Sequence, residues 1–292
     1  MGFILAFLTA IAESTTNVLS KKALINKSEY SMAWTLRFFS LPFLLLMLAL
    51  TEKSALQIIN EKFWLALLIS GGLNSLTTVL SMKAIKYSDL SVTVPMLAFS
   101  PAFLLITSPV ILGETPTIIG VVGILLIVLG SYILNLQEKK NGYLEPFKAL
   151  LKEKGSRLML LVAFIWSITS NFDKIGVQNS SPILWATAVN IFIVIVLLPI
   201  LWWINSPANQ IKIFKDTKTL FLIGFFGALV SIFQMTAVNL ILVSYVIAIK
   251  RLSIIFTTIA GYLFFKEQKL RERLAGAIIM LIGVVLIIWR GI

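Results

Sequence analysis

Long apolar runs alternate with short polar joints along the whole chain. Most runs have about the length that an α-helix needs to cross a bilayer. They are continuously apolar and lack the alternation of membrane barrel strands. The pattern therefore predicts an all-α polytopic membrane protein. Ten candidate spans lie at residues 3–20, 32–51, 63–83, 90–112, 117–135, 157–174, 183–204, 219–239, 242–265 and 272–289.

The pattern of spans occurs twice. When the sequence is shifted by 153 residues without a gap, small residues and span ends coincide, and Ala84 falls on Ala237. Few positions are identical, so the repeat rests on the single unbroken offset. Each copy holds five spans, and this odd number requires the two copies to lie inverted in the membrane. We predict two inverted five-helix repeats, residues 1–135 and 157–292, joined by a linker at 136–156.

Composition agrees with this fold class and excludes several kinds of chemistry. The chain is 58% hydrophobic and 13% charged, about half the charged fraction of a soluble protein. Cysteine and histidine are absent, which excludes disulfides, thiolate nucleophiles, histidine general bases and histidine metal sites. There is no Walker A motif. The sequence therefore predicts neither an enzyme nor a metal or cofactor site.

The net charge of +12 has a membrane explanation, and we do not expect a nucleic-acid partner. Basic residues gather in the cytoplasmic loops of membrane proteins. The loops after spans 1, 3, 5, 7 and 9 hold 18 Lys and Arg, while the alternate loops and tails hold 4. Loop charge alone therefore places both termini outside.

One acidic residue interrupts the first span. Glu13 lies about half-way along it, and Thr9, Thr16 and Asn17 recur at steps of three and four. Such spacing forms one helical stripe, which should face the interior of the bundle. Ionisable residues within hydrocarbon are costly and usually functional. Glu13 either binds protons or cations during transport, or is tied permanently to a nearby Lys or Arg, and both interpretations stay open.

Two adjacent cations, Lys250 and Arg251, lie deep in the ninth span, too far from its start for both to reach the surface by snorkelling. They are predicted to clamp an anion or a carboxylate. The alternative is that they neutralise Glu13, although one acid cannot neutralise two bases. The first copy has Leu97 and Ala98 at the matching positions, so the repeat did not impose this charge.

Further polar residues inside the spans complete the candidate site. Trp166 takes the place of Glu13 in the second copy, and Asn190 takes that of Arg37. Interhelical hydrogen bonding is the alternative role for such residues. Asp173 and Lys174 are expected at the end of span 6 as a hydrated surface pair. The predicted substrate- or ion-binding residues are Glu13, Asn17, Arg37, Asn74, Trp166, Asn171, Gln234, Lys250 and Arg251.

A motif of small residues, proline and Glu recurs at the same offset. The first copy contains Ser100, Pro101, Gly113, Glu114, Gly120, Gly123 and Gly130. The second contains Ser253, Glu267, Gly276 and Gly283, with Ile254 and Lys266 in place of Pro and Gly. This combination resembles the EamA domain of the drug/metabolite transporter superfamily. The resemblance implies ten helices in two inverted repeats around a central substrate cavity, and it implies that Glu114 and Glu267 organise loops.

A second likeness falls on the first span. Ala12 and Glu13 followed by Lys21 are similar to the first helix of small multidrug resistance proteins, in which a membrane Glu binds protons and cationic drugs in turn. By this likeness Glu13 would be that acid. Those proteins use two such acids per dimer, whereas Trp166 occupies the second place here. The cations of span 9 also disfavour a purely cationic substrate.

We therefore expect a secondary active transporter that moves a small, amino acid-like zwitterion or anion by alternating access, with or without proton coupling. The alternatives are a flippase for lipid-linked substrates and a non-catalytic subunit of a membrane complex. The expected location is the bacterial inner membrane, as a multi-pass monomer or homodimer. Members of the resembling family are usually drawn with cytoplasmic termini, against the loop charge, so the orientation stays open.

Overall fold

The computed structural model describes residues 1–24, 28–51, 59–88, 90–134, 153–204, 217–265 and 274–290, which form helices and no strand. The first half contains α1 (Gly2–Leu24), α2 (Glu29–Thr51), α3 (Glu61–Tyr87), α4 (Leu90–Thr93), α5 (Phe99–Leu112) and α6 (Ile118–Leu134). The second half contains α7 (Lys154–Gln178), α8 (Pro182–Ile204), α9 (Thr217–Leu240), α10 (Val243–Lys250), α11 (Ser253–Phe265) and α12 (Leu274–Arg290).

Six helices among the described residues, α1, α2, α3, α7, α8 and α9, are long and apolar enough to cross a membrane. Three shorter apolar helices cover Met96–Leu112, Ile118–Ile133 and Ala275–Trp289. The all-helical, polytopic prediction is confirmed, while the count of ten spans stays a prediction. Most of the predicted linker 136–156 lies outside the described residues, as does Glu267.

Two predicted spans, 90–112 and 242–265, are broken rather than continuous. In the first, a 3-10 turn at Val94–Ala98 follows α4 and has a proline in its first turn, where the missing N–H removes a helical hydrogen bond. In the second, α10 ends at Lys250, and the backbone N–H groups of Arg251 and Leu252 bond three residues back. Shifted by 153 residues, the first turn falls on 247–251, so both copies break at the same place.

The helices of each half pack mainly on helices of the other half. α1 lies along α9, and α3 lies along α7, which are matching pairs under the 153-residue offset. α2 packs on α8, and α6 packs on α12, so these helices meet their own counterparts. Neither half is a closed bundle alone, and the two copies share one apolar core.

The closest of these contacts joins α6 to α12 through a pair of glycines. A Cβ atom added to Gly123 would lie 2.7 Å from the carbonyl oxygen of Gly283, and one added to Gly283 would lie 2.5 Å from the carbonyl oxygen of Gly123. Small residues let two membrane helices approach backbone to backbone. Gly123 and Gly283 both belong to the repeated motif. Under the 153-residue offset the counterpart of Gly123 is Gly276, so the contact joins positions that are seven residues out of register.

The glycine contact predicts opposite effects for two substitutions. Gly123→Ala forces α6 and α12 apart, which should cost about 1–3 kcal/mol and lower the midpoint of thermal unfolding in detergent. Gly72→Ala on α3 is the matched control, because an added Cβ there meets nothing within 4 Å. It should leave the midpoint unchanged or raise it, since alanine favours a helix by about 1 kcal/mol. Equal shifts in both variants would contradict the contact.

Candidate functional site

A central cavity lies between α1, α2, α3, α7, α8, α9 and α10. The space between its walls, counted with the open solvent at its mouth, is about 1120 Å³. Eight of the nine predicted site residues line it: Glu13, Asn17, Arg37, Asn74, Trp166, Gln234, Lys250 and Arg251. Their binding roles remain predictions, but the fold does bring them to one place.

The strongest electrostatic feature of the cavity is an ion cluster around Glu13. The Nζ atom of Lys250 lies 2.9 Å from Oε1 of Glu13, and Nη1 of Arg251 lies 3.8 Å from Oε2. Ser253 donates its hydroxyl to Oε2 at 2.9 Å. Glu13 is 7% exposed, Lys250 5% and Arg251 0%. The structure shows the ion pair that was the alternative interpretation of these charges, and places it in the cavity wall; the proton-binding and anion-clamp roles stay predictions.

The break between α10 and α11 places this cluster. Lys250 is the last residue of α10, and Ser253 is the first of α11. A helix C-terminus favours a cation, and a helix N-terminus favours an anion. The two helix ends therefore suit the Lys250 ammonium and the Glu13 carboxylate that meet there. Ser100 of the other half accepts a hydrogen bond of 3.0 Å from Nε of Arg251.

Trp166, at the position of the second repeat that matches Glu13, faces the same cations. Its ring centroid lies 5.3 Å from Nζ of Lys250 and 5.6 Å from Cζ of Arg251, within the range of cation–π attraction. Lys250 also donates to Oε1 of Gln234 at 2.8 Å. Glu13 of α1 and Trp166 of α7 occupy matched positions, and both contact Lys250 and Arg251. Glu13 does so through its charge and Trp166 through the face of its ring.

Arg37 forms a second cationic point of the wall. It donates to Asn190 at 3.4 Å and to Thr78 at 3.2 Å. Its Nε atom is buried and has no hydrogen-bond partner among the described residues, and the same is true of Nη1 of Arg251. A buried donor without an acceptor is costly, and each of these two guanidinium groups keeps one N–H for which the described residues supply no acceptor.

Asp173 lies in the cavity wall, contrary to the predicted surface pair. Its side chain is 4% exposed and accepts hydrogen bonds from Ser70 at 2.5 Å and Trp185 at 3.1 Å. The prediction was wrong because span 6 was ended at 174, whereas α7 continues to Gln178. The spacing of these residues indicates the correct placement, since Trp166, Ser170 and Asp173 follow one another at steps of four and three and therefore lie on one face of the helix.

Lys174 is buried as well, but it turns away from Asp173. It pairs with Glu114 and donates to the carbonyl oxygen of Ile241 at 3.1 Å. Glu114 also accepts the backbone N–H of Val243 at 3.1 Å, at the start of α10. The structure therefore gives Glu114 an organising place at a helix end, as the family resemblance implied.

Asn171 is the one predicted site residue that is not among the described residues of the lining. It is completely buried between α7 and α5. It accepts a hydrogen bond from Ser108 at 2.6 Å and donates to Thr107 at 3.2 Å and to the backbone of Ser167 at 2.6 Å. These bonds make Asn171 an interhelical tie, which was the alternative role for such residues.

The charges of the described cavity wall do not cancel. Three bases, Arg37, Lys250 and Arg251, stand against two acids, Glu13 and Asp173. The excess of one positive charge favours a solute that brings a negative group. No cluster of three or more metal-ligating side chains occurs in the described part of the chain.

Comparisons with known proteins agree with this fold. The family model of the EamA-like transporter family matches residues 1–136 and 153–289, which confirms the resemblance carried by the repeated motif. None of the curated proteins matches the chain significantly. A solved structure titled "Crystal structure of protein" is similar at a TM-score of 0.71 and 11% identity, over 98% of this chain and 95% of that one. At this identity the likeness shows the fold alone.

The ion cluster predicts a non-additive effect on stability. Glu13→Gln leaves two buried cations without their acid and should cost about 3–5 kcal/mol. Adding Lys250→Met should recover part of this loss, because one uncompensated cation is replaced by an apolar chain. Thermal unfolding in detergent measures both variants.

A matched control is the more exposed pair of Glu29 with Lys86, whose nitrogen and oxygen lie 2.8 Å apart. Glu29→Gln should change stability by less than about 1 kcal/mol. A double variant no more stable than Glu13→Gln alone would show that Lys250 does not depend on Glu13.

Proposed function

The chain belongs to the EamA-like transporter family, and from this premise we propose that it moves a small zwitterionic or anionic metabolite across the membrane by alternating access. The observation that carries the proposal is the Glu13–Lys250 ion pair in the cavity wall. Buried charges that face a polar cavity are typical of transport pathways. The family consists of membrane transporters, so transport rather than catalysis is the expected activity.

The proposed architecture is ten spans in two inverted five-helix repeats. Three observations support it: the reciprocal packing of matching helices, the helix breaks at equivalent positions, and a pair of matching lysine contacts. Lys21 donates to the carbonyl oxygen of Ser88 at 2.6 Å. Its counterpart Lys174 donates to that of Ile241, the position equivalent to Ser88. Two states related by this symmetry would open the cavity to one side and then to the other.

The substrate's anionic group is proposed to compete with Glu13 for Lys250 and Arg251. In the structure, the carboxylate of Glu13 forms an ion pair with Nζ of Lys250. A substrate carboxylate that takes this place removes the charge partner of Glu13, and a carboxylate left alone in a low-dielectric site tends to bind a proton. Substrate binding and proton binding would then favour each other, and both would be carried in the same direction.

The cavity wall also holds apolar side chains such as Leu36, Met82 and Ile85, but its polar and charged groups favour a water-soluble solute over a lipid-linked one. Side chains of Asn17, Asn74, Ser170, Asn190 and Gln234 line the cavity between the charged groups. A flippase would need apolar walls that continue to the bilayer. A small solute with one carboxylate and further hydrogen-bonding groups is the better match, and the proposed location is the inner membrane of a bacterium.

Uptake into proteoliposomes tests the proposal. A panel of amino acids, carboxylic acids and amines should contain an anionic or zwitterionic solute that the wild type concentrates only under an inward proton gradient. Lys250→Met should raise its KM about tenfold or more, because a charged hydrogen bond is lost. Glu13→Gln should weaken the response to the gradient.

Glu29→Gln is the matched control, because it removes an acid of an ion pair that is absent from the cavity lining. It should behave as the wild type. Unchanged proton dependence in Glu13→Gln would overturn the coupling role of this acid, and an unchanged KM in Lys250→Met would overturn the anion site.

A further inference from the structure

Asp173 is a second acid of the cavity, and its surroundings differ from those of Glu13. The hydrogen bonds that it accepts from the described residues both reach the same oxygen, Oδ1, and both come from neutral donors, the Ser70 hydroxyl and the Trp185 indole. Trp185 is held in place by Gly176, where a Cβ atom would overlap the indole ring. Oδ2 accepts no hydrogen bond from the described residues and belongs to a side chain of the cavity wall.

The cations of the site form no ion pair with Asp173 among the described residues. Glu13 has two cationic nitrogens within 4.0 Å, whereas Asp173 has none among the described residues. Arg37 of α2 and Lys250 of α10 interact with Asp173 electrostatically, but each bonds to other groups. Lys174, the next residue on its own helix, is turned towards Glu114.

The other helices packed on α7 bring no further charge close to Asp173. α4, the 3-10 turn, α5 and α8 contain no ionisable residue. On α3 the nearest is Lys62, eight residues before Ser70, or about 12 Å along the helix. Lys218 stands at the start of α9, nine residues before the first lining residue of that helix. On α10, the Tyr245 hydroxyl accepts from the backbone of Thr117.

We propose that Asp173 is a second proton-binding carboxyl group of the transport cycle, and the one that holds a proton in the substrate-free state. A proton from the solvent of the cavity binds to Oδ2, and the same proton is released later, so no other bond changes. The bonds from Ser70 and Trp185 to Oδ1 remain intact in both forms. Glu13 can take its own proton only after Lys250 has left it, which requires the substrate.

A line of hydrogen bonds runs along α3 from Trp166 to Asp173. Trp166 donates to Thr77 at 3.0 Å, and Thr77 donates to the backbone carbonyl oxygen of Asn74 at 3.3 Å and to its Oδ1 at 3.5 Å. The Asn74 side chain donates to Ser70 at 3.0 Å, and Ser70 donates to Asp173. The line begins at the ring that faces Lys250 and Arg251. Every donor points towards Asp173, an alignment in which hydrogen bonds strengthen one another.

The second proton has a defined consequence for the substrate. With Asp173 neutral, the wall carries three bases and one acid, and Arg37 loses the acid with which it interacts. Its unpartnered Nε then becomes the favoured place for a negative group. The proposal rests on the proposed function, but the proton site itself can be measured without a substrate.

Infrared spectroscopy of the full chain in lipid tests the site directly. The sequence contains three aspartates, Asp89, Asp173 and Asp216, so aspartate labelled with carbon-13 at the side-chain carboxyl adds few signals. A protonated carboxyl group has a C=O stretching band that the label moves to lower frequency. We expect a labelled band to grow as the pH falls from about 9 to about 5, and to disappear in Asp173→Asn.

Asp173→Asn keeps the Oδ1 acceptor for Ser70 and Trp185, so it should fold. The double variant Asp89→Asn, Asp216→Asn does not depend on that, because Asp173 is then the sole labelled residue. The band should persist in this variant and in Glu13→Gln. Absence of a labelled band from the double variant, or its survival in Asp173→Asn, would overturn the proposal.

Transport with the solute found by uptake supplies the second measurement. The number of protons moved per solute, obtained from the reversal potential, should fall by one in Asp173→Asn and stay unchanged in the Glu29→Gln control. An unchanged number in Asp173→Asn would overturn its place in the cycle. Absence of the labelled band from the protein with Asp173 intact, together with Glu13-dependent uptake, would refute the second site alone. A labelled band without uptake of any solute would count against the proposed function alone.

Discussion

The cost of placing charge in hydrocarbon governs the arrangement of this protein. A lysine or arginine in the middle of a membrane helix must find an acid, a carbonyl or an aromatic face. Lys250 and Arg251 find all of these at one point: Glu13 from the first repeat, Trp166 from the second, and the helix ends at the break in the chain. The helices around the cavity are held in a register that keeps these partners together.

The same constraint explains why the two repeats differ where they do. A duplicated chain would place two equal residues on either side of its two-fold axis, as two acids or two rings. Here the acid and the ring divide the work, since Glu13 neutralises the cations and Trp166 covers them. Arg37 and Asn190 show the same division, because matched positions carry a donor and an acceptor that bond to each other. A symmetric frame thus supports an asymmetric site.

Sequence alone predicts much of this arrangement and fails at identifiable points. Apolar runs and the 153-residue offset predict the helices, and the cost of charge in hydrocarbon points to Glu13, Lys250 and Arg251. Helix ends are harder, because an apolar run does not show where hydrogen bonding stops: ending span 6 early misplaced Asp173. The break after Lys250 carries no proline or glycine signal. Asn171 was predicted to line the site, but it bonds to Thr107 and Ser108 of α5, and only the fold reveals that α5 packs there.

The contact of α6 with α12 has a consequence for how such a protein can diverge after duplication. Each glycine gives up its side chain to make room for the other's backbone, so neither Gly123 nor Gly283 can change without opening the seam for both. Cavity residues outside the ion cluster are under no such backbone restriction and can change one at a time. After duplication, sequence similarity between the two copies should therefore last longest at the contact of α6 with α12, while the residues of the central cavity change with the substrate.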